Sequence, residues 1–420
     1  MVATASPAAW RWPTRVLFRF IFAYLLLYNL PGPLGSVPYG VYAAYWYKKA
    51  WDSLASHAGE WILGRKVAFV PNGSGDTTFH YIQALVTLAL ALAACLVWSV
   101  LDRRRRAYPV LHEALTVYVR YVLATAMLGY GYAKVFKSQF PFPGYESLIS
   151  EFGQTSPMGL LWNFMGYSTP YTVFAGACEV VGGVLLFWRR TAVLGALLLM
   201  GVMGNVMLLN FFYDVPVKLY STHLFLMTLF LLAPHVPRLA ACVTLRRVVP
   251  GPPSECPWNR GLWRWVALAC TTIAGGYFTI AQGLGGYEVW KTYGEAAPSP
   301  PHYGVYAVES FARDGVEVPP LTTDHTRWRR VIFNRHGMMT IQHMPGTLYW
   351  YRMTLDEAAS TVMLTDFGGG SPRALRYTRP GEGVFVFEGE ENGHAIRARL
   401  RRVDDKTFPL KSGGFHWIRD

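Results

Sequence analysis

Long apolar stretches, several of roughly 20 residues and so able to cross a ~30 Å hydrocarbon layer as helix, constrain this chain more than any other feature. They are centred at 16–30, 80–101, 111–135, 170–188, 191–211, 219–234 and 264–283. Composition agrees: 52% of the residues are hydrophobic and 15% are charged, where soluble globular proteins carry about 25% charged residues. The expected fold class is therefore a membrane all-α helical bundle of about seven transmembrane helices. A C-terminal antiparallel β domain follows it.

The net charge of +13 is compatible with nucleic acid, an acidic partner or membrane topology, and its location decides among them. Residues 284–420 hold 17 Lys and Arg against 16 Asp and Glu, whereas residues 1–283 hold 22 against 10. The surplus thus belongs to the apolar part. The polar part lacks a basic patch interleaved with aromatics, which argues against nucleic acid as a partner. Within the apolar part the basic residues gather on alternate loops. Arg11 and Arg15 precede the first span, and Arg103, Arg104, Arg105 and Arg106 follow the second. Arg189 and Arg190 follow the fourth, and Arg238, Arg246, Arg247, Arg260 and Arg264 separate the sixth from the seventh. Against these 13 stand only Asp102 and Glu255, while the other loops balance to zero. The positive-inside rule then predicts a cytoplasmic N-terminus and an extracytoplasmic C-terminal domain, in a multi-pass cell (inner) membrane protein.

The first span lacks a small-residue cleavage site and runs directly into Tyr28-Asn29-Leu30-Pro31-Gly32, so it reads as a retained anchor. Residues 41–63 are aromatic and amphipathic, and their Trp46, Trp51 and Trp61 suit the outer membrane interface. Cys95, Cys178, Cys242, Cys256 and Cys270 lie in spans or the cytoplasmic loop and include no C-x-x-C pair. A disulfide framework and a cysteine zinc site are not expected.

Three regions follow: 1–235 as the membrane bundle, 236–295 as cytoplasmic loop, seventh span and start of linker, and 296–420 as the β domain. The last begins with a Pro-rich linker, Ala296 to His302. Eight short strand-like runs then alternate with turn signals, among them Arg313-Asp314-Gly315, Arg335-His336-Gly337, Pro345-Gly346, Pro380-Gly381 and Asn392-Gly393. This pattern predicts an antiparallel meander, closed or nearly closed into a small barrel. The terminal Gly413-Gly414-Phe415-His416-Trp417-Ile418 supplies core aromatics or a plug for one barrel end, and the barrel either packs a core or holds a ligand.

Ionisable side chains inside a span are costly and mark candidate sites. In the third span Glu113, Arg120 and Lys134 are spaced by seven and fourteen residues, which places them on one stripe. Glu179 in the fourth span is flanked by Gly176, Gly182 and Gly183, small residues that permit close helix contact. A Glu179–Arg120 pair is the expected neutralising arrangement. The fifth and sixth spans meet through Asn205, Asn210, Asp214, Lys218 and His223. Lys218 is placed to pair with Asp214, either as a solvated turn or as part of a binding site, and His223 is either a packing residue or a proton carrier. His112, heading the third span, reads as interfacial. No H-x-x-x-H or H-E-x-x-H spacing occurs, so no metal is predicted. Asn72-Gly73-Ser74-Gly75-Asp76-Thr77 is Gly-rich but lacks the lysine of a phosphate loop.

The run Tyr130-Gly131-Tyr132-Ala133-Lys134-Val135-Phe136-Lys137, the later Gly176-Ala177-Cys178-Glu179-Val180-Val181-Gly182-Gly183 and the apolar layout around them resemble DoxX-like membrane proteins over about residues 110–235. Members of that family are linked to membrane-bound oxidoreductase systems, including the small subunit of a thiosulfate:quinone oxidoreductase. The run ending at Lys137 also looks like the corresponding part of vitamin K-dependent gamma-carboxylases, where a lysine acts as base toward the hydroquinone. By position the candidates here are Lys134 and Lys137, although the lysine spacing is wider and the outer domain smaller than in those enzymes.

Three functions are compatible with these features. The first is a membrane component of a quinone-linked oxidoreductase system, with a quinone as cofactor, a partner oxidoreductase subunit and the lipid bilayer as surroundings. Lys134, Glu179 and His223 would then handle protons, and Arg120, Asn210, Asp214 and Lys218 would contribute to binding. The second is a non-enzymatic envelope protein whose β domain binds a lipid or a protein partner. The third is a hydroquinone-coupled enzyme of carboxylase type with Lys134 as base.

Overall fold

The computed structural model describes residues 9–245, 261–414 and 416–418. Arg246, Arg247, Glu255, Cys256, Arg260 and Phe415 lie outside the described residues. The chain divides into two compact units, one formed by residues 1–139 and 170–288 and the other by residues 140–169 and 289–420.

The first unit is helical. Its elements are α1 (Trp12–Asn29), α2 (Gly40–Leu63), α3 (Thr78–Leu101) and α4 (Pro109–Val135), then α7 (Thr169–Phe187), α8 (Ala192–Phe212), α9 (Lys218–Leu232), α10 (Val236–Leu245) and most of α11 (Gly261–Tyr293). Among the described residues four stretches are long and apolar enough to cross a membrane: α3, α7, α8 and the run Lys218–Thr244 that joins α9 to α10. The expected count of seven is not met on this measure, because α1, α4 and α11 are less apolar. For α4 the reason is visible in the packing. Leu115, Val119, Leu123, Ala124, Met127 and Leu128 are all buried along it, at the centre of the unit's core. A helix covered by protein does not need an apolar surface, so its sequence is free to carry Arg120 and Lys134.

Arg19 of α1 illustrates how this unit tolerates a buried cation. Its guanidinium donates to the Tyr108 hydroxyl, to Ser99 Oγ at 3.0 Å and to the Asp102 carbonyl at 2.8 Å. Tyr108 in turn donates to the Asp102 carboxylate at 3.0 Å. Buried charge of this kind persists only when its donors are satisfied.

The second unit is built on a sheet of nine strands: β1 (Gly304–Arg313), β2 (Val316–Glu317), β3 (Trp328–Phe333), β4 (Met338–His343), β5 (Leu348–Asp356), β6 (Thr361–Asp366), β7 (Arg373–Gly381), β8 (Val384–Glu391) and β9 (His394–Arg402). Neighbours are antiparallel, and β1 also pairs with β9, which closes eight strands into a barrel with β2 as a short extension of β1. The meander expected from the sequence is therefore present. In β9 the alternation is complete: Ile396, Ala398 and Leu400 are buried, and Arg397, Arg399 and Arg401 face out. Ala398 lies opposite Phe311 on one neighbour and Phe387 on the other. All three are fully buried, a small residue between two large ones that fills the barrel. The interior carries a core of large side chains, among them Phe311, Trp328, Phe333, Met339, Phe387 and Leu400.

One expectation for this unit fails. Trp417 and Ile418 are 90% and 77% exposed, so neither joins the barrel core, and the Phe415 of that segment lies outside the described residues. The unit also includes α5 (Tyr145–Ile149) and α6 (Pro157–Tyr167), which the sequence assigns to the membrane bundle. Tyr145, Leu148 and Ile149 pack on Val305, Ile332 and Phe408. Glu146 accepts hydrogen bonds from Asn334 Nδ2 and Thr340 Oγ1. The Tyr145 hydroxyl donates to Asp405, and Lys411, in the short helix α12 (Pro409–Ser412), donates to both.

Candidate functional site

Glycines on facing helices position the first group of the site. A Cβ on Gly176 of α7 would lie 2.5 Å from the carbonyl oxygen of Gly131 on α4, and one on Gly131 would lie 2.8 Å from the Gly176 oxygen. The two backbones touch at this point, as small residues permit. One turn further along each helix, Lys134 Nζ and Glu179 Oε2 meet at 2.9 Å, with only 7% and 2% of their side chains exposed.

This pairing corrects the expected Glu179–Arg120 bridge. The Arg120 guanidinium instead donates to the carbonyls of Leu186 (2.7 Å) and Phe187. These are the last residues of α7, whose carbonyls have no intrahelical donors and whose negative dipole end favours a cation. Glu113 pairs with Arg189 at 3.2 Å. The three charges of α4 thus have three different partners, and only Lys134 meets Glu179.

A second group joins α1 to α9. His223 Nδ1 lies 2.7 Å from the Leu219 carbonyl, which only accepts, so Nδ1 carries the proton. Nε2 is then the acceptor for the Tyr24 hydroxyl at 2.7 Å. The Tyr28 ring stacks on the imidazole with centroids 3.9 Å apart and planes 6° from parallel.

Between these groups opens a cavity of about 920 Å³, lined by Tyr28, Tyr47, Trp51, Tyr130 and Tyr220 among others. None of Lys134, Glu179 and His223 lines it. Lys134 and His223 stand one side chain back: Lys134 Nζ is 5.6 Å from the centroid of Tyr130, and His223 lies against Tyr28. Tyr130 and Tyr220 are 6.2 Å apart. The tyrosines are the functional candidates that the sequence reading missed. Their signal was spacing: Tyr24 and Tyr28, and Tyr130 and Lys134, are four apart, and Tyr220 and His223 three apart, which places each pair on one helix face.

The remaining predicted residues form a turn. Asn210 is buried, and its carbonyl accepts from Val215 N–H at 3.0 Å. Lys218 Nζ reaches Asp214 at 2.8 Å, the expected pair, but the Asp214 side chain is 83% exposed. Asp76 organises this turn, accepting from the backbone N–H of Lys218 (2.7 Å) and Leu219 (2.9 Å) at the start of α9. The Gly-rich loop before Asp76 is fastened to the same turn through Gly75 N–H and the Pro216 carbonyl at 2.7 Å. Lys137, the other candidate base, is buried in a left-handed backbone conformation with φ 53°.

Neither a family model nor a solved structure matches this chain. The uncharacterized protein YwoB of Bacillus subtilis (strain 168) is 35% identical to it over 122 residues, which is 27% of this chain and 71% of the relative. The chain belongs to the family of YwoB. That kinship carries no named activity, so the chemistry must be read from the site.

Among the described residues no three His, Cys, Asp or Glu side chains gather to hold a metal ion. The cavity is suited to an organic ligand. Its volume falls within the ~300–1,000 Å³ usual for small-molecule sites, and aromatic walls with a few polar groups are the usual lining. Phenols and amides on its wall, Tyr130, Tyr220 and Gln282 among them, are able to meet the oxygens of a ring.

Proposed function

We propose that this protein is a membrane component of a quinone-linked oxidoreductase system and that the tyrosine-lined cavity holds the quinone ring. One observation carries the reading. The buried Lys134–Glu179 pair lies directly behind Tyr130, whose ring borders the cavity. The aromatic wall fits a flat ring, and the resemblance to DoxX-like proteins points to the same class of cofactor. A bound quinone would supply reversible two-electron chemistry coupled to protons. In this reading Tyr130 bonds a ring oxygen through its hydroxyl, and the Lys134–Glu179 pair holds the charge that accompanies proton movement at that end. Tyr28 closes the opposite wall, and the Tyr24–His223 pair behind it offers Nε2 as a proton acceptor. Electrons are exchanged with a partner oxidoreductase subunit.

The test is direct. Protein purified in a neutral detergent should yield a quinone on organic extraction and should gain thermal stability with a short-chain quinone. Tyr130→Phe should weaken that gain. Preparations free of quinone and showing no quinone-dependent shift would sink the proposal.

The same reading takes α1, α4 and α11 as further membrane crossings, seven in all, with the N-terminus cytoplasmic and the β unit outside. Supporting it, Arg19 of α1 and Arg120 and Lys134 of α4 are buried in protein, and the basic residues gather on alternate loops. A fluorescent protein fused at the C-terminus should be dark and alkaline phosphatase fused there active. The opposite result would overturn the topology.

A further inference from the structure

The cavity has a second end whose chemistry differs from the tyrosine end. Ala44, Tyr47, Lys48 and Trp51 of α2 line it, at the three- and four-residue spacing of one helix face. Phe69 and His80 complete this end. Lys48 Nζ stands 3.9 Å above the centroid of Phe69, and the His80 ring is 5.9 Å from the same ring. His80 Nδ1 is engaged by Thr77 Oγ1 at 2.8 Å. No aspartate or glutamate lines the cavity. Asp76, the neighbouring carboxylate, is committed to the backbone of α9. Among the described residues Lys48 has no ion-pair partner, and its ammonium rests over the Phe69 ring, a weak arrangement worth about 0.5–1 kcal/mol at an exposed site.

The other face of α2 presents Tyr42, Tyr45 and Trp46, all exposed. Large aromatic residues in this number on a peripheral helix fit the headgroup depth of a bilayer. That depth would set Lys48 level with lipid headgroups, with the aromatic cavity leading away from it.

We infer that Lys48 and His80 form an anion subsite, and that the cavity takes an amphipathic molecule with an acidic head group, carboxylate or phosphate. The head group sits at Lys48, and the apolar part runs past Tyr47 and Trp51 toward Tyr28 and Tyr130. This inference rests on the cavity's being a ligand site, as proposed above, but not on the ligand at the tyrosine end being a quinone.

The experiment uses the full chain in a neutral detergent, with Trp fluorescence and thermal shift as readouts. Dodecanoate, dodecyl phosphate, dodecanol and inorganic phosphate are titrated in turn. Both acidic amphiphiles should bind at least about tenfold tighter than dodecanol, the discrimination expected of one charge-assisted contact. Added salt should weaken that preference. Lys48→Gln should abolish it and Lys48→Arg should keep it; the exposed position makes either change compatible with folding. Competition by inorganic phosphate alone would assign the subsite to a free anion, and its failure to compete would assign it to a lipid head group. Equal binding of dodecanol and the acids, or an undiminished preference in Lys48→Gln, would overturn the inference. A short-chain quinone titrated in parallel separates the two proposals. Loss of quinone binding with the acid preference intact removes only the quinone reading, and the converse removes only this one.

Discussion

Lys134 and Glu179 hold each other in a place where neither would survive alone. Taking a charged side chain out of water costs several kcal/mol, and a single good contact offsets this only while both partners are present. Lys134→Ala should therefore destabilise the helical unit by about 3–5 kcal/mol, read as a lowered melting temperature of the purified protein. Replacing both, Lys134→Met with Glu179→Leu, should restore a melting temperature close to that of the unchanged protein. If the pair also serves the chemistry, that double variant should fold and yet lose the quinone-dependent shift. Sequence spacing placed Lys134 and Arg120 on the same face of α4 but had no means of choosing between them as the partner of Glu179. The choice was made by Gly131, which admits Gly176 beside Lys134. The tyrosines escaped notice for a related reason: a neutral ring in an apolar helix is unremarkable until a cavity is found beside it.

Among the elements, α7 depends most on residues with no side chain. Gly176 and Gly183 face α4, where a Cβ would meet the backbone oxygens of Gly131 and Ala124 at 2.5 and 3.0 Å, and Gly182 faces Leu199 of α8. Backbone atoms cannot swing aside as a flexible side chain can. Gly176→Val should push α7 away from α4 and cost about 1–3 kcal/mol, again seen as a lowered melting temperature. Unlike Lys134→Ala, it should not be rescued by removing Glu179. The barrel strands were legible because each is specified locally. Asp314-Gly315, His336-Gly337 and Asn392-Gly393 each adopt two successive positive φ values, the hairpin geometry that such residue pairs favour, and strands such as β9 alternate cleanly. Residues 140–169 were not legible, since the strands that bury Tyr145 and satisfy Glu146 lie far away in sequence. A short apolar helix between two spans looks like a membrane loop until those strands are known.

For the molecule as a whole, two groups illustrate the direction in which the β unit responds to acid. Burial, with Arg379 nearby, holds the His302 imidazole below its ordinary value of 6.5, and among the described residues its buried Nε2 has no hydrogen-bond partner. The unfolded chain then takes up this proton first, so the contribution is complete above pH 6.5 and declines as pH falls toward the lower folded value. For Asp405, burial pushes the carboxyl up, but the bonds from Lys411 and Tyr145 outweigh it and hold it below its ordinary 3.8. Its contribution is present above that value and fades as pH falls below it. Melting of the β unit in the full chain should therefore be unaffected by these groups between pH 7 and 8 and should fall in two stages, below pH 6.5 and again below 3.8. His302→Gln should remove the first stage. A melting temperature that rises between pH 7 and 5 would contradict the assignment.

The way α5 and α6 join the β unit also has a consequence in time. Glu146 is bound by Asn334, and 188 residues separate them. At a synthesis rate of about 5–20 residues per second, the ribosome needs roughly 10–40 s to supply that partner. Throughout this interval Tyr145 and Glu146 have left the ribosome without the strands that will cover them. A chain halted before the barrel is complete would expose this segment permanently, so a quality-control protease or chaperone acting on a truncated product would find its handle at residues 140–169 and not at the new C-terminus.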